Sequence, residues 1–295
     1  MNAITRSIVA ATAISLGAVA AGLVARPGAA EVMSVSDLPA HTHIHGLAVD
    51  RQDPSRLLIA THHGLFRTRP DGTAKRVSVV QNLMGFTPHP SDPGTLYASG
   101  HPAGGGNLGF IASTDQGGTW TQISPGLNGP VDFHQLTVSP ADPRTIWGAY
   151  GGLQLSRDGG ATWSLAGPAP DRLIDLAASA RDASTLYAAT EAGLLVSSDA
   201  AATWSPIVTG APVSLVEVTP DGAVYAFVLG QGLVRSGEPP AGFETVSNAI
   251  CEAYLLHLAG DPTDPGRLFA ATGEGRILAS ADHGRTWAPL TGSGR

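Results

Sequence analysis

Apolar and polar positions along this chain repeat one arrangement about every 40 residues. Each unit opens with a short apolar run that ends in a Pro/Asp turn. The runs are residues 45–54, 84–93, 134–143, 174–183, 215–222 and 256–265. A second apolar stretch follows, rich in Leu, Tyr and Ala: residues 57–60, 96–98, 146–149, 186–189, 224–227 and 268–271. A glycine-containing turn then leads into a third, as at Gly64-Leu65-Phe66 and Gly193-Leu194-Leu195. Stretches this short, β-branched or aromatic and bounded by Gly, Pro and Asp, predict strands.

Four units close on Ser-x-Asp-x-Gly-x-Thr-Trp or a near version, at residues 113–120, 156–163, 197–204 and 280–287. The third copy carries Ala201 where glycine is expected. Ser and Asp side chains satisfy backbone N–H groups in a turn, and glycine permits positive φ. The Trp then enters the layer between units. Four strands per unit and six units predict an all-β, six-bladed β-propeller with four-stranded blades; a seven-bladed ring is the alternative. Residues near Glu31–Val35 are expected to complete the last blade.

The Ser/Asp/Gly/Thr/Trp segment is similar to the Asp-box of BNR-repeat propellers. That superfamily includes sialidases, sortilin-type receptors, xyloglucanases and photosystem II assembly-factor-like proteins. The His43-Ile44-His45-Gly46-Leu47 opening also resembles a group of exported bacterial proteins labelled glycosyl-hydrolase-like. The resemblance covers nearly the whole chain after residue 30. It implies the fold and leaves the activity open.

Composition agrees with many short strands: Gly (37) and Pro (22) are abundant among 295 residues, and 43% of positions are hydrophobic. Net charge is −7, with no basic run, which argues against a nucleic-acid partner. Arg6, the apolar run 8–25 and the small residues Gly28-Ala29-Ala30 read as a signal peptide over 1–30, with an uncleaved anchor as the alternative. Residues 31–295 then form one domain, expected as a monomer in the periplasm or secreted. The single cysteine, Cys251, excludes an internal disulfide.

Topology gives the histidines their interest. Counted back from the Pro/Asp turn, His45, Met84 and His134 share one repeat position, at the channel end of a first strand. His41 and His43 precede His45. His62 and His63 occupy a second-to-third-strand turn, His101 the corresponding turn of the next blade, and His257 a first strand of the last blade. Eight of the ten histidines thus map to one face, with only His89 and His283 on the other. Imidazole with thioether suits copper, and imidazole with carboxylate suits zinc or nickel. The predicted metal ligands are His43, His45, His62, His63, Met84, His101 and His134, with a copper ion preferred. Additional candidates are His41, Cys251, His257, Glu191 and Glu274.

Metal handling or metalloprotein maturation is the expected role. A protein-binding assembly scaffold, with a client on the same face, is the alternative. Sialidase-like glycoside hydrolysis is a third reading. Asp132, Asp175, Glu217 and Glu252 fall near the channel end, but their spacing singles out no acid/nucleophile pair. Gly104–Gly106 is expected to form a loop over the histidine face.

Overall fold

The computed structural model describes residues 31–250 and 254–290. The signal segment read over residues 1–30, and Cys251 and Glu252, lie outside the described residues. Among the described residues no helix is long and apolar enough to cross a membrane.

Six antiparallel sheets form the six blades. Blade one contains β1 (Val32–Ser34), β2 (Ile44–Val49), β3 (Leu57–Thr61), β4 (Gly64–Thr68) and β5 (Thr73–Arg76). Blades two to six hold four strands each: β6–β9 (81–124), β10–β13 (136–167), β14–β17 (173–209), β18–β21 (213–247) and β22–β25 (255–289). Their first strands are β6 (Gln81–Pro88), β10 (Leu136–Val138), β14 (Leu173–Ala178), β18 (Val213–Val218) and β22 (Leu255–Asp261). With β2 these first strands touch one another in a ring, β22 against β2 closing it.

The N-terminal strand departs from expectation. β1 does not complete blade six; it pairs with β5, Val32 opposite Lys75 and Ser34 opposite Thr73, and makes blade one five-stranded. Blade six supplies its own outer strand, β25 (Ala288–Pro289), from the C-terminal end. Between β1 and β2 a 3-10 turn and the short helix α1 (Leu38–His41) cross the end of the blade. They bury Val35 and Leu38 against Phe269, Ala271 and Ile277 of blade six. The chain's entry thus caps the joint between first and last blades.

Six apolar clusters hold the ring, one at each blade–blade interface. Alternation along a strand sends successive side chains to the two neighbouring blades. On β3, Leu57 and Ile59 join the interface with blade six, and Leu58 and Ala60 the interface with blade two. The four repeat tryptophans fill the same layers. Trp120 packs between blades one and two, Trp163 between two and three, Trp204 between three and four, and Trp287 between five and six.

The turn before each tryptophan has one hydrogen-bond pattern. In the second copy Ser156 Oγ donates to Asp158 Oδ1 (2.8 Å) and accepts from Gly160 N (2.8 Å). Thr162 N donates to Asp158 Oδ1 (2.9 Å) and Thr162 Oγ1 to Asp158 Oδ2 (2.6 Å). Residue Gly160 sits at φ +88°, and the Trp163 indole N–H donates to its carbonyl at 3.0 Å. The third copy holds Ala201 at φ +70°, and there Trp204 Nε1 is buried without a hydrogen-bond partner.

Candidate metal centre at the channel mouth

In four of the six blades the first strand enters the channel through a kink near its start. In blade one, Ile44 pairs with Thr61 and Gly46 with Ala60, so His45 is the extra residue of a β-bulge. Ile174, Ser214 and Leu256 hold the same bulge position in blades four, five and six. A bulge re-aims side chains locally. In blades four and six the following residue reaches across to the next blade, and Gln135 of blade three does likewise. Gln135 Nε2 donates to Ile174 O (3.1 Å), Asp175 Oδ2 accepts from Val216 N (3.0 Å), and His257 Nε2 donates to Ile44 O (3.3 Å).

Residues from blades two and three then converge. His101 stands on β7 (Leu96–Pro102), and the loop that follows turns back through Gly105 and Gly106, at φ +84° and +87°. The Gly106 carbonyl lies 2.8 Å from His101 Nδ1. A carbonyl only accepts, so Nδ1 donates to it and Nε2 is the nitrogen turned toward blade three. That Nε2 lies 2.9 Å from Asp132 Oδ2. His134 Nε2 lies 2.8 Å from the same oxygen. Asp132 and His134 lie in the loop before β10, with His134 at a bend, and the two side chains meet there.

Asp132 is only 6% exposed, and its second oxygen, Oδ1, is buried without a partner. Burial would raise its pKa, but the contacts with His134 and His101 outweigh that and hold it below the usual carboxylate value. The same hydrogen bond to Asp132 raises the pKa of His134, against the effect of burial. Among the described residues, His101, Asp132 and His134 are the set whose ligand atoms lie mutually close enough for one ion, all within 4.8 Å.

A second imidazole group belongs to blade one. The His62 ring stands edge-on to His45, with centroids 4.2 Å apart, and edge-on to His43, at 5.5 Å. His45 Nε2 is buried without a partner. Burial, then the neighbouring His62, His257, His134 and His43, push the His45 pKa down to about 4. Burial and the neighbouring His43 and His63 also lower that of His62. The electrostatic influence of His134 on His45, and of His101 on His62, ties the two groups to one region of the channel mouth.

Behind them runs a central cavity of about 210 Å³ lined by His45, His134 and His257 with Arg51, Asp175 and Glu217. Burial raises the pKa of Asp175 to about 7 and, with Asp175 beside it, that of Glu217 to about 8. Both Asp175 oxygens already accept backbone N–H groups, from Leu176 (2.9 Å) and Val216 (3.0 Å). This carboxyl therefore joins blades four and five.

The other candidates disperse. Met84 is 7% exposed on β6 opposite Ser99. His41 is exposed on α1, and His63 is exposed in the turn after β3. Glu191 pairs with Arg172 (3.2 Å) and Glu274 with Arg276 (3.2 Å), both pairs on the surface. His257 is spent on Ile44. His89 accepts two backbone N–H groups in its Pro/Asp turn, and His283 takes positive φ in the last Ser/Asp turn. Sequence reasoning placed Asp132 near the channel but not among the ligands. The Asp132-x-His134 spacing was the available signal.

No family model matches the chain, and no curated protein matches it. Solved structures do. The GH74 enzyme of Niastella koreensis superposes with TM-score 0.59 at 17% identity, over 84% of this chain and 45% of that one. This chain thus spans under half the length of that enzyme. YCF48 from Cyanidioschyzon merolae superposes with TM-score 0.52 at 18% identity, over 89% and 88%. YCF48 bound to a D1 peptide gives 0.50 at 18%, over 90% and 86%. At these identities the likeness is one of architecture: the chain is a six-bladed β-propeller similar in fold to a glycoside hydrolase and to YCF48.

Proposed function

We propose that this protein binds a divalent transition-metal ion at the channel mouth through His101, Asp132 and His134. The observation that carries the reading is the convergence of two imidazole nitrogens on one carboxylate oxygen at 2.9 and 2.8 Å. The Gly106 carbonyl fixes the ligating tautomer of His101, the orienting contact that metal-bound histidines ordinarily have. The unpartnered Asp132 Oδ1 adds a buried acceptor that an ion or its bound water satisfies. Two nitrogens and an oxygen form a borderline donor set. Copper(II) heads the affinity order for such a site, with zinc and nickel next. Metal handling or metalloprotein maturation outside the cytoplasm is the role that fits this centre together with the N-terminal signal pattern.

The test is titration of the purified chain with copper(II) or zinc against a chromophoric chelator. Micromolar or tighter binding, weakened at least tenfold in Asp132→Asn and His134→Ala, supports the reading. Affinity unchanged in both variants refutes it.

A protein client is the second reading. It is favoured by the likeness to YCF48, which has been seen with a D1 peptide bound. Beside the centre, Tyr150 is 44% exposed, and its hydroxyl accepts from Asn107 Nδ2 at 3.3 Å. This gives an aromatic, hydrogen-bonding platform next to the candidate ion. Tyr150→Ala abolishing capture of a co-purifying protein, with metal affinity intact, would separate this role from the first.

A further inference from the structure

We infer that the central channel is a binding site for a small organic carboxylate, held between Arg51 and Glu217. The site lies behind the His101–Asp132–His134 centre and takes no contact from those three residues, so it stands whether or not an ion binds there.

The first strands leave a cavity of about 210 Å³ along the axis. An apolar cavity of about 150 Å³ takes benzene, so this one has room for a ligand of that size or somewhat larger. Arg51 lines it from the Pro/Asp turn after β2, together with Pro90, Pro140 and Pro220 of the corresponding turns. Arg51 Nη1 donates to Pro90 O at 2.7 Å, which fixes the side chain across the joint of blades one and two. Among the described residues Arg51 makes no other hydrogen bond and no ion pair. A guanidinium carries five N–H donors in a planar fork that matches a carboxylate, and most of this fork is unused. Glu217, on β18, lines the same cavity, and its carboxyl has no hydrogen bond among the described residues. Asp175 differs, because both its oxygens already accept backbone N–H groups.

Charge decides the kind of ligand. Glu217 shares the cavity with Asp175 of β14, Arg51, His257 of β22, and His45 and His134 at the mouth. Burial and Asp175 raise Glu217 to about 8, so at neutral pH it keeps its proton and donates. Burial raises Asp175 to about 7. His45 and His257, both pushed down to about 4, are uncharged. The Arg51 guanidinium stays charged. A cation without a counter-ion beside a protonated carboxyl suits a carboxylate. One oxygen faces the Arg51 fork and the other accepts the Glu217 O–H. A cationic ligand would instead meet Arg51 as a like charge.

Isothermal titration of the metal-free full chain with butyrate, and separately with butylammonium, tests the site. Saturable butyrate binding at pH 6, millimolar or tighter, is expected, with none of butylammonium. Arg51→Gln should weaken butyrate binding at least tenfold. Arg51→Lys, which keeps the charge but loses the fork, should fall between. Between pH 6 and 9 the affinity should drop at least tenfold as Glu217 and Asp175 lose their protons, and it should drop less in Glu217→Gln, whose amide still donates. Asp132→Asn, which disables the metal centre, should leave butyrate affinity unchanged. A melting temperature for each variant confirms folding; if Arg51→Gln does not fold, Arg51→Lys and the Glu217→Gln pH profile decide. No butyrate binding, a preference for butylammonium, affinity unaltered by the Arg51 changes, or an equal pH dependence in Glu217→Gln would each overturn the inference.

Discussion

His257 Nε2 donates to the carbonyl oxygen of Ile44 at 3.3 Å, and in doing so ties the last blade to the first. No shared sheet spans this joint, because β1 lies on the outer edge of blade one. It is held by apolar packing, by the His257 bond, and by Arg267, whose Nη1 donates to Pro54 O at 2.9 Å. Replacing His257 with Ala leaves a buried carbonyl unpaired and opens a void, at a cost of about 1–3 kcal/mol. Urea unfolding at pH 7 measures this loss. Burial lowers the folded pKa of His257 from 6.5 to about 4. The unfolded chain therefore takes up the proton first, and stability falls as pH drops from about 6.5 to 4. His257→Ala should flatten that limb of the stability–pH curve.

Ala201 and Trp204 give a prediction of opposite sign. Alanine at φ +70° is strained, whereas glycine accepts that conformation. In the other three copies the indole N–H reaches the carbonyl of the residue equivalent to Ala201, at 2.8 to 3.1 Å. Ala201→Gly should relieve the strain and raise stability by about 0.5–1 kcal/mol, read as a higher melting temperature. The converse change, Gly160→Ala, would bring a Cβ within 2.0 Å of the Phe110 ring and should lower stability by about 1–3 kcal/mol.

The turn carboxylates set the acid limit. Hydrogen bonds from the neighbouring threonine hydroxyl and backbone hold Asp158, Asp199 and Asp282 down to about 2. Their folded pKa lies below the unfolded value, so their stabilisation is complete above about pH 4 and is lost as pH falls toward 2. The urea midpoint of Asp158→Asn should lie below that of the unaltered protein at pH 7 and converge on it near pH 2. Tryptophan fluorescence follows both, because Trp163 closes the same turn.

The channel carboxyls set the opposite limit. Glu217 titrates near 8, raised by burial and by Asp175. Its contribution is complete below its unfolded pKa and is lost as pH rises through about 8. Glu217→Gln carries no charge at any pH. Its melting temperature should fall less between pH 5 and 8 than that of the unaltered chain, with the remaining decline owed to Asp175. Equal declines in both would show that Glu217 does not govern this limb.

The repeat alone revealed the blades and their inner strands, because each strand signal lies within ten residues of chain. His45 and His134 share a repeat position, and the fold brings both to the channel mouth. Partner choice was another matter. Whether His101 meets Asp132 or Met84 depends on how two blades are angled and on the path of a glycine loop, neither of which leaves a periodic trace. The position of β1 was hidden for a similar reason. Three residues can add to any open edge, and the buried Val35 and Leu38, which anchor the entry, resemble ordinary core residues in sequence.

Because β1 occupies the rim of the disc, Val32 stands at the circumference, away from the axis on which His45 and His134 converge. A tether attached there would pull sideways on the wheel and leave its hub uncovered.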